Sequence, residues 1–165
     1  MAENQSANIS RRSALLAFSA AIPFTAGAGP VRSLKLSAKT LGGETLDAAS
    51  LKGKPVLVQF WTTWCTFCQS DEGPVESIIR KLAPKGLVVI GVNAYETRQK
   101  VQEYLVKHPR ACKIALLDDT NLAPLLTGRT YPVYVLFDRS GNVIDTQTGA
   151  AGEPALRRFL LRAGL

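Results

Sequence analysis

LKGKPVLVQFWTTWCTFC, Leu51 to Cys68, is the stretch that decides how this chain is read. Gly53-Lys54-Pro55 breaks the backbone just before Val56 to Trp61 (VLVQFW), a short apolar run of the kind that forms a buried strand. Two cysteines separated by two residues, Cys65 and Cys68, follow at once. Beyond them Val75, Ile78, Ile79 and Leu82 recur at helical spacing, which predicts that the pair opens a helix. A helix start offers unsatisfied N–H groups and the positive end of the macrodipole, so the thiolate of Cys65 is expected to be favoured there. Cys68 lies about one turn further on, close enough for a tight disulfide. A metal half-site would want a second CxxC or a nearby His to complete its ligands, and the chain has three Cys and one His in all. Strand, CxxC and helix together point to redox work, in which one thiolate attacks a partner's disulfide and the second thiol resolves the mixed disulfide.

Working outward, an α/β domain is expected from Val31 to Leu165. Leu34 to Ser37 and Glu44 to Leu46 flank Gly42-Gly43 and read as an N-terminal β-hairpin. Leu87 to Val92 is a second buried strand, Arg98 to Lys107 a helix, Ile114 to Leu117 a third strand and Asn121 to Leu126 a helical turn. Val133 to Phe137 and Val143 to Thr148 flank Asp138-Arg139-Ser140-Gly141 as a second hairpin, and Glu153 to Ala163 closes the chain as a helix. Helices between the early strands imply parallel pairing, and the late hairpin must be antiparallel. The expectation is a mixed central sheet with helices on both faces. Pro74 should kink the helix that begins at the cysteines.

The 165 residues suit one domain, and 46% hydrophobic with 20% charged residues excludes a mainly disordered chain. Three cysteines are too few for a disulfide scaffold. The formal net charge of +7 invites a nucleic-acid reading, but the basic residues are scattered apart from Arg157, Arg158 and Arg162 on the last helix. No interleaving of basic and aromatic residues and no phosphate-binding glycine loop supports it, so no nucleic acid is expected. Cys112 reads as a small buried apolar residue or as a thiol activated by its basic neighbours. His108 reads as a loop residue.

Residues 1–28 read as an address. Ser10-Arg11-Arg12 precedes the apolar run Ala14 to Ala26, and Ala26-Gly27-Ala28 offers a cleavage site. These are the three parts of a secretory signal peptide, here of twin-arginine-like form. Cleavage after Ala28 leaves a domain over 29–165. Residues 13–31 carry no charge, so an uncleaved membrane anchor is the alternative. Both readings place the domain outside the cytosol, in the periplasm, where disulfides persist.

The stretch Leu51 to Cys68 resembles the entry strand and active site of the thioredoxin superfamily, in particular exported thiol-disulfide oxidoreductases of the TlpA/ResA type. Arg129-Thr130-Tyr131-Pro132-Val133 and the following YVLFDRSGNV resemble that family's cis-proline loop, strand and hairpin. The resemblance implies a thioredoxin-like fold, Cys65 as nucleophile, Cys68 as resolving thiol, Pro132 as the cis-proline facing the disulfide, and Trp64 and Tyr131 beside the partner's chain. It implies no cofactor or resident metal. Gln59 stands where thioredoxin has a buried Asp that accepts a proton. The family's acid after the second cysteine corresponds to Asp71 counted from Cys68, or to Glu72 counted back from Pro74. Glu72 is the preferred choice, with first-turn acids serving only the helix dipole as the plain alternative.

The expected function is periplasmic reduction of protein disulfides, with a client such as apocytochrome c or a copper-site protein and a membrane-bound or periplasmic electron donor. A disulfide oxidase is an alternative. So is a copper-binding assembly factor using the same thiols as soft ligands, for which only His108 could serve as a distal histidine. A thiol peroxidase would need a threonine-and-cysteine loop that the chain lacks.

Overall fold

The computed structural model describes residues 32–33, 35–126 and 128–165, so the expected leader lies outside the described residues. Eight strands form one sheet in the order β1-β8-β7-β4-β5-β6-β2-β3. They are β1 (Arg32–Ser33), β2 (Ala38–Thr40), β3 (Thr45–Leu46), β4 (Val56–Trp61), β5 (Val88–Asn93), β6 (Lys113–Thr120), β7 (Val133–Phe137) and β8 (Asn142–Thr148). Helices α1 (Thr66–Ser70) and α2 (Glu72–Leu82) follow β4, α3 (Arg98–Lys107) joins β5 to β6, and α4 (Gly152–Leu160) follows β8. Short 3₁₀ turns occupy Ala83–Lys85, Ala123–Leu125 and Leu161–Ala163.

Strand β4 is buried at all six positions, as its apolar run requires. It pairs parallel with β5 and antiparallel with β7, and β5 pairs parallel with β6. The mixed sheet predicted from the order of elements is therefore present. Register aligns Gln59 with both Gly91 and Tyr134, and Gly91 with Ile114, so these four residues share one face of the sheet.

The β4–α2–β5 and β5–α3–β6 crossovers step in the same direction, and right-handed crossovers then put both helices on the same side. The contacts agree. Asp71, between α1 and α2, bonds to Tyr134, and Tyr104 of α3 packs its ring 5.6 Å from that of Trp61. The start of α4 reaches the same side through Ala151 and Gly152, which bond to Asp71. On the opposite face Val56 and Phe137 line a cleft with Leu36 and Leu51 of the N-terminal segment. The expectation of helices on both faces is thus met in modified form, with the α-helices gathered on one side and turns and loops covering this part of the other.

Two local expectations shift. The first arm of the N-terminal hairpin is Ala38–Thr40 instead of Leu34–Ser37. Burial alternates through Leu36, Ala38 and Thr40, and the turn closes where Thr40 N–H donates to Glu44 O at 2.8 Å. Gly43 sits there at φ 86°, a conformation open to glycine at no steric cost. The helix after the cysteines is not kinked at Pro74 but divided at Asp71. A proline displaces the carbonyl four residues before it and offers that carbonyl no N–H. Here that carbonyl belongs to Ser70, the last residue of α1, so Pro74 settles into the first turn of α2.

Candidate active site

Cys65 ends the loop after β4 and caps α1 with extended backbone geometry (φ −82°, ψ 103°). Its sulfur accepts from the N–H of Cys68 at 3.0 Å, the kind of stabilisation that a free helix N-terminus gives a thiolate. Cys65 and Cys68 are joined by a disulfide, with Cα atoms 5.2 Å apart. Both are buried, while Trp64 and Phe67 beside them are 62% and 65% exposed. The Tyr131-Pro132 bond is cis. The rings of Trp64 and Tyr131 meet edge to face at 6.0 Å, which brings Trp64 beside the segment that holds the cis bond. Tyr131 is buried, and burial pushes its hydroxyl up, aided by Tyr95 and Glu96 and opposed by Arg129.

The two candidate acids have different surroundings. Asp71 is fully buried. Its Oδ2 accepts from the hydroxyl of Tyr134 at 2.8 Å and from Ala151 N–H at 2.7 Å, and its Oδ1 from Gly152 N–H at 2.9 Å. Its own N–H donates to the carbonyl of Cys68 at 3.2 Å. Glu72 instead accepts from the hydroxyl of Tyr104 at 2.7 Å and lies 3.6 Å from Nδ1 of His108. Burial and then Glu72 push the Tyr104 hydroxyl up. His108 stacks on Tyr104, ring centroids 4.2 Å apart.

Sequence reasoning missed Glu96. Its carboxylate accepts from both N–H and hydroxyl of Thr63 at 2.7 Å, from Asn93 Nδ2 at 2.8 Å, and pairs with Lys100 at 2.7 Å. Gln69 completes the hold by donating to Thr63 O at 3.0 Å. A signal was present. Parallel strands bring their C-terminal ends side by side, and register pairs Trp61 with Asn93, so an acid just after β5 falls beside the loop before Cys65. The bonds from Tyr134 to Asp71 and from Arg110 to Gln59 were missed as well.

Cys112 is a free, buried thiol, and burial pushes it up with Arg110 working in the opposite direction. That matches the reading of it as a small apolar residue. Among the described residues no three His, Cys, Asp or Glu side chains converge as a metal site would require.

Comparison with known proteins agrees with this geometry. The Redoxin family profile matches residues 22–159. The chain is 26% identical over 120 residues to the thiol-disulfide oxidoreductase ResA of Halalkalibacterium halodurans, spanning 73% of this chain and 68% of that protein. It is 31% identical over 117 residues to the thiol:disulfide interchange protein DsbE of Pseudomonas fluorescens biotype C, spanning 70% and 64% respectively. Among solved structures, a thiol:disulfide interchange protein of the thioredoxin family from Chlorobium tepidum TLS superposes with a TM-score of 0.67 at 23% identity. That match covers 82% of this chain and 97% of the other, and shows the thioredoxin-like fold.

Proposed function

The chain belongs to the Redoxin family and is a thiol-disulfide oxidoreductase of the ResA/DsbE type, and from that premise we propose that it reduces protein disulfides outside the cytosol. The observation that carries the reading is the cap itself. Cys65 stands at the start of α1 with its sulfur on the Cys68 N–H and bonded to Cys68.

In the reduced protein the Cys65 thiolate attacks a sulfur of the partner's disulfide. A Cys65–partner bond forms and the other partner sulfur leaves as a thiolate. Cys68 then gives up its proton and attacks Cys65. The Cys65–Cys68 bond forms, the second partner sulfur leaves, and the partner ends reduced by two electrons while the pair ends oxidised. Asp71 is the proton acceptor for Cys68 in this reading. It is supported by its burial at the end of α1, whereas Glu72 is turned toward Tyr104 and His108. The exposed indole of Trp64, with Tyr131 and Pro132, receives the partner's chain.

Export is supported by Arg11-Arg12, the apolar run after them and Ala26-Gly27-Ala28. Residues 1–28 form the leader and 29–165 the working domain. An upstream electron donor of the membrane or periplasm restores the dithiol.

The deciding experiment is trapping. Cys68→Ser should freeze the mixed disulfide and capture the client by its own cysteine. Capture by Cys65→Ser instead would reverse the two roles. A reduction potential as high as that of a strong oxidant would overturn the reducing direction, and recovery of the active protein only from the cytosol would overturn export.

A further inference from the structure

Arg110 lies in the loop between α3 and β6 and donates through Nη2 to Oε1 of Gln59 at 2.6 Å. Gln59 is fully buried, and its Nε2 donates to the hydroxyl oxygen of Tyr134 at 3.0 Å. Tyr134, also fully buried, donates to Asp71 at 2.8 Å. The direction of this chain is forced by chemistry. A guanidinium has no acceptor, so the amide must turn its oxygen to Arg110 and its nitrogen to Tyr134. The tyrosine oxygen accepts that bond, which leaves its one proton for Asp71.

We infer that Arg110, Gln59 and Tyr134 are positioning residues for the redox pair: they form a one-way series of donors that fixes the carboxylate of Asp71 against the end of the helix carrying Cys68. The inference rests on the reading of Asp71 as proton acceptor for Cys68.

Three observations favour it over a chance packing of polar groups. First, each link belongs to a different element: the α3–β6 loop, β4, β7 and the α1–α2 junction. Together with the N–H groups of Ala151 and Gly152, which also donate to Asp71, this series gives its carboxylate one orientation. Second, Arg110 keeps Nε and Nη1 buried without a partner among the described residues, and its guanidinium lies 5.1 Å from the centre of the Trp61 ring. Unpaired buried N–H groups are costly, so the arginine is not placed there for its own satisfaction. Third, all bonds of the series run toward the carboxylate, so they hold it in one place in its ionised form, the form that can accept a proton.

The test separates the two chemical steps, with oxidised glutathione as the disulfide. Attack by Cys65 is timed in the Cys68→Ser background. Resolution is timed in the protein with both cysteines, by following the glutathionylated intermediate in acid-quenched samples by mass spectrometry. Gln59→Met keeps the approximate size but removes the acceptor for Arg110 and the donor that turns the Tyr134 proton toward Asp71, and it adds no second acid. Tyr134→Phe removes the hydroxyl outright.

Both should slow resolution by about tenfold, the weight of one charge-assisted hydrogen bond, and leave the first step unchanged. Arg110→Lys, which keeps a donor, should resolve faster than Arg110→Met. This loop pair carries the test if the core variants fail to fold. Equal slowing of both steps, or of neither, overturns the inference. Asp71→Asn distinguishes the causes of failure. If it leaves resolution unchanged, the role given to Asp71 falls and the donor series with it. If it slows resolution while the other variants do not, only the donor series falls.

Discussion

The carboxylate of Glu96 brackets Thr63, taking its N–H on one oxygen and its hydroxyl on the other, both at 2.7 Å. Thr63 stands two positions before Cys65, so this bond ties the entry to the active-site helix to the end of the neighbouring parallel strand. The Glu96 side chain is only 5% exposed. Glu96→Gln keeps its size but replaces an acceptor of four donors by a group that must also donate. Loss of about 1–3 kcal/mol of stability is expected, together with slower attack by Cys65. Denaturant titration and glutathione-disulfide kinetics measure the two effects.

The same residue gives the stability of the protein an acid limb. Burial works to raise Glu96, but Asn93, Lys100 and the two Thr63 groups outweigh it and hold it below its ordinary value of 4.5. A carboxyl depressed in the folded state contributes fully above its unfolded value, and that contribution is lost as pH falls through the folded value. The window therefore lies below 4.5. Stability curves of the parent and of Glu96→Gln should lie apart at neutral pH and converge in that range. Curves that stay equally far apart at all pH values would show that the ionised carboxylate is not what matters.

Asp71 and Glu72 are adjacent in sequence but face different partners, and their variants should separate accordingly. Asp71→Asn is expected to slow resolution of a mixed disulfide by about a hundredfold, within the range for loss of a positioned proton acceptor. Glu72→Gln replaces the charge-assisted bond from Tyr104 by a weaker neutral one and should chiefly loosen the packing of α3 on α2, a change read in the melting temperature. A larger kinetic loss for Glu72→Gln would give that residue the role of acceptor.

Much of this arrangement was legible because period and punctuation agree along the chain. VLVQFW after Gly53-Lys54-Pro55 reads as a buried strand, and the boundaries of β4, α3 and β7 match the expected ones. The cysteine pair was legible from its neighbours alone. The N-terminal hairpin was not, because Leu34 to Ser37 and Ala38 to Thr40 are equally plausible arms locally. Pairing of β2 with β6, far along the chain, selects the second. The different burial of Asp71 and Glu72 escaped for a related reason. A one-residue step around a helix start exchanges buried for half-buried, and the break imposed by Pro74 on Ser70 sets that phase. Glu96 and Arg110 bond to residues 33 and 51 positions away, a separation that no local pattern reports.

Cys112 should be a bystander. It is buried and its thiol is pushed up by that burial, so little thiolate is present and little surface is open to a reagent. Cys112→Ala is expected to leave both steps of disulfide exchange unchanged. In the oxidised native protein an alkylating reagent should label no cysteine, and after unfolding it should label one. Rapid labelling of the native protein, or loss of exchange in Cys112→Ala, would make it a working thiol after all.

Gly91 explains how Trp61, Cys112 and Ile114 fit together under α3. A Cβ at this position would lie 2.9 Å from Cδ1 of Ile114, 3.2 Å from Sγ of Cys112 and 3.2 Å from Nε1 of Trp61. The first contact is closer than side chains tolerate, and the indole is almost fully enclosed. Gly91→Ala should therefore cost about 1–3 kcal/mol through overpacking. It also presses Trp61 toward the guanidinium of Arg110, so the donor series to Asp71 should feel it. Ile114→Val removes the methyl in the way. The double variant should accordingly be more stable than the sum of the two single changes predicts, a coupling that denaturant titration of all four proteins would measure. Simple additivity would mean that the strain sits on Trp61 instead, and then only the tryptophan fluorescence of Gly91→Ala should be altered.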